Sequence, residues 1–535
     1  MRRTVRFGIA LVAAVALLTS GCGGDAAGQV SAAPLTVTTD SGRLSGAVSG
    51  PVRTFLGVRY AQPPTGDRRW SLPRPLIATT RSTDATEPGA PCPQRASLPG
   101  ARPSTDEDCL FLNITTPRDL RRGERLPVMV WWHGGGFVTG SGADYGAQRL
   151  ASRGRVMVVT VNYRLGVFGY FGLPGLRGSG NFGFADQLEA VRWTRKNAHA
   201  FGGDARGITV FGQSSGGMSA CALLTSPRAR ALADRVAIMS GSCGLNWFTG
   251  ALYPGSPPQT PYIPLARAES EGAAAAARLG CKGAGAATCL RKKPAAHLLK
   301  LDTAVADQLA YGTELLPVHP ERALRDGRFA RVPVLVGGVR DEARAYVAGA
   351  ERVTGKAITD SGYPRLITDA YGRRRASAVA AAYPPSRYLS PGVAWATVVT
   401  DASWSCPTLA TQRALAAHTD AYGYEFADPD PPNVTGVTAP SVPHAAGHAT
   451  DLPFLFEPGG ANLLTTPAQR LLSARMIDYW TSFARHGEPV ARGGPRWRPA
   501  TESSSAALRL APARIGPVDL AREHRCALWT EPTDR

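Results

Sequence analysis

The stretch "ITVFGQSSGGMSACALL", Ile208 to Leu224, passes from an apolar run through clustered glycines and serines into a second apolar run. "ITVF" reads as a buried strand and "GMSACALL" as a helix, so the glycines between them mark a tight turn. Gly212-Gln213-Ser214-Ser215-Gly216 fits G-x-S-x-G, whose glycines permit a sharp, strained strand-to-helix turn with the central serine exposed at its tip. The frame selects Ser214, because a frame on Ser215 would need glycine where Gln213 stands. Ser215 then has a different use: its backbone N–H can point at a developing oxyanion. Glycine-rich turns containing serine are common, and the strand-to-helix setting is what makes Ser214 a candidate nucleophile.

The flanking sequence repeats this rhythm. "LPVMVWWHGGGF", "RVMVVTVNYRLG", "RVAIMSGS" and "VPVLVGGVRDE" are apolar strand runs, and "DQLEAVRWTRKNAHAFGG" has helical periodicity. Strands of this kind alternating with helices imply an α/β protein with a large, mostly parallel central sheet flanked by helices. Ligands in such sheets bind beyond the carboxyl ends of the strands. Before this region, "LTVTTDSGRLSGAV" and "VRTFLGVRYAQPP" show strand-like alternation with glycine turns.

"HGGGF", His133 to Phe137, ends one strand. Its glycines let backbone N–H groups approach a tetrahedral intermediate without Cβ interference. The loop lacks the Lys-Ser/Thr pair of a phosphate-binding P-loop. His133 itself fits a supporting role better than that of a base. A serine nucleophile also needs a carboxylate and a histidine, in chain order serine, acid, histidine for this architecture. Asp341 and Glu342 are the best-placed acids, after "VPVLVGG". Histidines 297, 319, 418, 444, 448, 486 and 524 follow Ser214, and spacing alone does not choose among them.

A formal net charge of +19 raises the question of nucleic acid, but the arginines are scattered and no nucleic-acid-binding signature accompanies them. A solvated basic surface is the reading taken, with no nucleic-acid partner. At the N-terminus "MRRTVRF" is a positive region and "GIALVAAVALL" an apolar run too short to span a bilayer, as in an export signal. Thr19-Ser20-Gly21-Cys22 resembles a bacterial lipobox, with threonine where leucine is usual. The expectation is a signal peptide over 1–21, lipid-modified Cys22 as a membrane anchor, and a flexible tether over 22–34. Cleavage near Ala32–Ala33 with full secretion is the alternative. Setting Cys22 aside leaves an even complement of cysteines, which in an exported chain favours disulfides over metal sites. The oligomeric state is not legible.

From about Leu35 to Trp529 the chain resembles the type-B carboxylesterase (cholinesterase-like) family of α/β-hydrolases. The matching blocks include "FLGVRYAQPPTGDRRW", "EDCLFLNI", "WWHGGGF", "FGGDARGITVFGQSSGG", "GHATDLPFLF" and "HRCALW", in family order. The resemblance implies a single α/β-hydrolase domain over 35–530 that needs no metal or organic cofactor. It makes Ser214 the nucleophile, Glu342 the triad acid and His448 the base, His448 standing three residues before Asp451-Leu452-Pro453-Phe454. His444 lacks that context and is the reserve. Gly135, Gly136 and the Ser215 N–H match the oxyanion hole. Cys92–Cys109 and Cys281–Cys289 match family disulfide loops, and Cys406–Cys526 a long-range bridge that some members carry. Cys221 and Cys243 remain, either bonded by elimination or two buried free thiols.

The implied function is an exported serine carboxylesterase acting on small-molecule esters. A lipase for longer acyl chains is the near alternative, and a non-catalytic binding protein on the same fold the distant one. The chain departs from the family in two informative ways. Many members carry glutamate where Gln213 stands, and the Cys92–Cys109 segment lacks the tryptophan that stacks choline in cholinesterases. Both departures argue against a cationic substrate. Trp247 is open to two readings, as part of the acyl side of the pocket or as core. Asn113 and Asn433 fit glycosylation sequons, read as coincidence.

Overall fold

The computed structural model describes residues 32–96, 102–301 and 307–529. The signal segment 1–21, Cys22 and the tether as far as residue 31 lie outside these residues. Ala32 to Pro34, read as the end of the tether, lie on the domain: Ala32 bridges Arg121, and Ala33 N–H donates to the Leu120 carbonyl at 2.9 Å.

Among the described residues eleven strands form the main sheet. In chain order they are β1 (Ala47–Ser49), β2 (Val52–Arg59), β3 (Phe111–Pro117), β4 (Leu126–Trp132), β5 (Met157–Val161) and β6 (Gly203–Gln213). They continue with β7 (Arg235–Met239), β8 (Val334–Val339), β9 (Ala421–Phe426), β10 (Ala506–Leu510) and β11 (Gly516–Asp519). Their order across the sheet is β11-β10-β9-β8-β7-β6-β4-β5-β3-β2-β1. From β5 through β10 every neighbouring pair is parallel, while β3, β2, β1 and β11 add antiparallel edges.

The parallel strands are buried on both faces, which explains why they read as unbroken apolar runs. Along β4, Val128, Val130 and Trp132 join one core cluster while Met129 and Trp131 join the other. Along β7, Val236 and Ile238 divide from Ala237 and Met239 in the same way. Successive side chains point to opposite faces, so one run supplies both cores.

The helices that matter for the site are α1 (Phe182–Phe201), α2 (Ser215–Thr225), α3 (Arg344–Thr354), α4 (Pro391–Val399), α5 (Cys406–Ala416) and α6 (Pro467–His486). Leu188 and Val191 of α1 and Leu223 and Leu224 of α2 cover one face, and Leu472, Met476 and Trp480 of α6 the other. A π-helical turn, Thr400–Ser405, joins α4 to α5.

Among the described residues four disulfides cross-link the domain: Cys92–Cys109, Cys221–Cys243, Cys281–Cys289 and Cys406–Cys526. The last joins the start of α5 to the turn Cys526–Leu528 across 120 residues. Closing so long a loop stabilises the fold by about 5 kcal/mol in the chain-entropy account. Asn113 is buried in β3, where its carbonyl accepts the Gly57 N–H at 3.0 Å, which fits a structural role for that sequon.

A buried ion pair fixes the start of α1. Arg164, just after β5, sends Nε and Nη2 to the Asp186 carboxylate at 2.7 Å each, and both side chains are almost fully enclosed. Removing one member leaves an uncompensated charge in the interior. We expect Asp186→Ala to cost about 3–5 kcal/mol in denaturant unfolding, and Arg164→Met with Asp186→Leu together to cost much less.

Candidate active site

Four loops meet beyond the carboxyl ends of the parallel strands: after β4 (His133–Gly140), after β6 (Ser214), after β8 (Arg340–Ala343) and after β9 (reaching His448). Ser214 caps α2 with φ 57° and ψ −125°, a left-handed backbone that a non-glycine residue adopts only under constraint. The constraint is local crowding. A Cβ on Gly216 would overlap the Trp132 carbonyl oxygen, so α2 can approach β4 this closely only through glycine. Ser214 N–H donates to the Met239 carbonyl at 2.9 Å, tying the elbow to β7.

Three of the expected residues come together in one chain of hydrogen bonds. His448 Nε2 lies 2.9 Å from Ser214 Oγ, and His448 Nδ1 lies 2.5 Å from Glu342 Oε2. Glu342 is buried, and its other oxygen accepts the Val339 N–H at 3.0 Å. With Nδ1–H donating to the carboxylate, Nε2 presents its lone pair to the serine. The backbone sets this meeting: Asp341 N–H donates to Ala446 O at 2.9 Å, and His448 N–H to Glu342 O at 3.3 Å. Asp341 pairs with Arg340 at 2.8 Å and Arg344 at 3.2 Å instead. His444 Nε2 bonds the Pro431 carbonyl at 2.8 Å.

The oxyanion candidates lie on the loop after β4 and at the start of α2. Gly135 adopts φ 112°, and a Cβ there would overlap the Thr139 carbonyl. Gly136, with φ 61°, follows, and Ser215 opens α2, where the first helical N–H groups have no intrahelical acceptor. His133 is buried, stacks on Tyr163 at 4.4 Å and bonds the Gly134 carbonyl at 2.8 Å. Burial lowers its pKa to about 4, so it stays neutral and braces the loop.

Several contacts around the array were not visible in the sequence. Gln213 Nε2 donates to His448 Nε2 at 3.1 Å, so serine and glutamine share one imidazole lone pair. Gln94, inside the Cys92–Cys109 loop, accepts from Thr139 Oγ1 at 2.7 Å and Gly140 N–H at 2.8 Å, bracing the oxyanion loop. Tyr163 OH donates to the His133 carbonyl at 2.7 Å. Trp404 lies 4.9 Å and Tyr346 5.5 Å from the His448 ring. Trp247 packs edge-on against Trp404 at 5.4 Å and belongs to the main core. No signal short of the fold reveals these contacts, which join residues far apart in sequence. Among the described residues no cluster of three or more His, Cys, Asp or Glu is arranged to hold a metal ion.

A mostly parallel sheet with a serine elbow, a glycine loop and a Ser–His–Glu array beyond its strand ends defines an α/β-hydrolase. A profile of the carboxylesterase family matches residues 33–529, and the chain belongs to that family. It is a carboxylic-ester hydrolase. It is 32% identical to the para-nitrobenzyl esterase of Bacillus subtilis (strain 168) over 85% of this chain and 90% of that protein. It is 31% identical to the acylcarnitine hydrolase of Mus musculus over 83% of this chain and 81% of that protein. Among solved structures, a thermophilic pNB esterase superposes with a TM-score of 0.75 at 29% identity, covering 92% of this chain and 99% of the other.

Two predictions come from the crowding and burial here. Gly216→Ala forces α2 away from β4 and displaces Ser214, so kcat should fall about 10²-fold or more in protein that remains folded. Asp451 is buried, with its pKa pushed up to about 7 by desolvation and then by the Glu342 charge. A raised carboxyl pKa contributes stability that is complete below the ordinary aspartate range and lost as pH rises through about 7. Asp451→Asn should therefore gain stability relative to wild type between about pH 4 and 8 in chemical unfolding.

Proposed function

We propose that the chain hydrolyses small, uncharged carboxylic esters through an acyl-enzyme on Ser214, outside the cytoplasm. The observation that carries the proposal is the Ser214–His448–Glu342 array, with contacts of 2.9 and 2.5 Å, on a left-handed elbow. His448 Nε2 takes the proton from Ser214 Oγ as the oxygen attacks the ester carbonyl carbon. Glu342 holds the ring in the required tautomer and stabilises the imidazolium that forms. The carbonyl oxygen becomes an oxyanion against the N–H groups of Gly135, Gly136 and Ser215. When the C–O bond breaks, the alcohol leaves with the proton from His448. Water, deprotonated by His448, then attacks the acyl carbon and releases Ser214.

The surroundings support an uncharged substrate. The amide of Gln213, not a carboxylate, stands beside His448. Export is supported by the positive and apolar N-terminal segments. The pairing of eight cysteines in four disulfides also fits an oxidising compartment. In this reading residues 1–21 are removed, Cys22 carries the lipid, and the catalytic domain works at the membrane surface.

Hydrolysis of a series of aryl esters from two to sixteen carbons, measured beside Ser214→Ala, tests the reading. Short and medium acyl chains should be preferred, and Ser214→Ala should lose about 10⁴-fold or more in kcat. Preference for the longest chains with interfacial activation would make the protein a lipase. Ser215→Ala should stay within about tenfold of wild type, because only its backbone N–H is used. Mass spectrometry of the mature N-terminus should find a diacylated Cys22, and a free Ala33 terminus would instead indicate a secreted protein.

A further inference from the structure

Behind the Ser214–His448–Glu342 array lies a second buried histidine that the reaction just described does not use. His524 donates from Nδ1 to Asp401 Oδ1 at 2.6 Å and from Nε2 to Glu425 Oε1 at 2.7 Å. All three side chains are almost fully enclosed. Asp401 also accepts Tyr383 OH at 2.8 Å and lies 3.5 Å from Arg525. Glu425 also accepts Arg509 at 2.7 Å, and Arg509 in turn pairs with Glu523 at 2.9 Å. Tyr388 stands beside Arg525. An imidazole that donates from both nitrogens is protonated, because a neutral ring has one N–H.

The acceptor Asp401 belongs to the π-helical turn Thr400–Ser405 between α4 and α5. Wide turns of this kind inside a helix occur frequently at functional sites. Two other residues of the same turn reach the triad. Thr400 Oγ1 accepts the N–H of Ala343, the residue after Glu342, at 3.0 Å. Trp404 lays its ring 4.9 Å from His448. A cavity of roughly 20 Å³, lined by Glu342, Trp404, Tyr424, Glu425 and His524, separates the two carboxylate–histidine systems. Cys406 follows the turn and bonds to Cys526, two residues beyond His524, so a covalent tie spans the same junction.

We propose that His524 is a positioning residue for ester hydrolysis. By clamping Asp401 to Glu425, it fixes the π-turn whose Thr400 and Trp404 hold Glu342 and His448 in reacting geometry. The inference rests on the proposed roles of Ser214, His448 and Glu342. Deprotonation of His524 leaves the ring one N–H for two carboxylates, so one of them loses its hydrogen bond to the ring and the turn loses its clamp. Burial opposes the charge on His524, but hydrogen bonds and charge from Asp401 and Glu425 outweigh it and hold the pKa up to about 10. The clamp is therefore complete below the ordinary histidine range and is lost as pH rises through about 10.

The test compares wild type, His524→Asn and Glu425→Gln in the full chain, using a short-chain aryl ester and Ser214→Ala as the blank. Both variants should lose about 10–100-fold in kcat with KM within about twofold, because misplaced catalytic groups slow the chemistry without removing substrate contacts. Wild type should lose kcat reversibly near pH 10 with its far-ultraviolet circular dichroism intact, whereas His524→Asn should lack that step. A merely structural role would lower the unfolding midpoint and leave kcat per folded molecule unchanged, which overturns the proposal. Wild-type kcat that holds steady through pH 10 overturns it without any variant. Activity retained in Ser214→Ala would instead overturn the reading on which the proposal rests.

Discussion

The close approach of α2 to β4 is the constraint on which the catalytic geometry depends. Gly216 permits it, and the chain accommodates it by turning Ser214 into the left-handed region at φ 57°. That single backbone conformation sets Ser214 Oγ 2.9 Å from His448 Nε2 and starts α2 at the next residue, Ser215. Local strain of this kind costs on the order of 1–3 kcal/mol and persists only where the surroundings over-determine it. Here they do: β6 pairs with β4 on one side and β7 on the other, and the Ser214 N–H is held by Met239.

The base is placed by a different kind of force. Glu342 and His448 sit on loops after β8 and β9, neighbours in the sheet although far apart in the chain. Backbone hydrogen bonds between the two loops bring the side chains within 2.5 Å, and a buried carboxylate then fixes the ring. Around them lie groups that keep the array dry and ordered: Trp404, Tyr346, the Gln213 amide and the buried Asp451. Low polarity strengthens each of these electrostatic contacts, so the same enclosure that costs desolvation makes the array effective.

The parallel core, the elbow and the glycine loop were legible because each is local. Strand burial on both faces leaves an apolar run, and a tight turn demands glycine at fixed offsets. The choice of Glu342 and His448 was not legible from spacing. Seven histidines follow Ser214, and what separates His448 from His444 is a hydrogen bond to Pro431 in one case and to Glu342 in the other. Family resemblance supplied that choice. Gln213 was read as the absence of a charge, yet its amide contacts the base directly, which only the turn geometry reveals. His524 lay in a recognised block, "HRCALW", but its partners Asp401 and Glu425 come from distant elements. Ala32 and Ala33, at the end of the tether, have no pattern of their own, and their contacts with Arg121 and Leu120 come only with the fold.

The central claim is that Ser214, and not its neighbour Ser215, is the residue that attacks. A fluorophosphonate reacts only with a serine activated by its base, so labelling followed by peptide mapping reads the claim directly. The account predicts one label per chain, located on Ser214 and absent from His448→Ala. Labelling on Ser215, or none in folded wild-type protein, would contradict it.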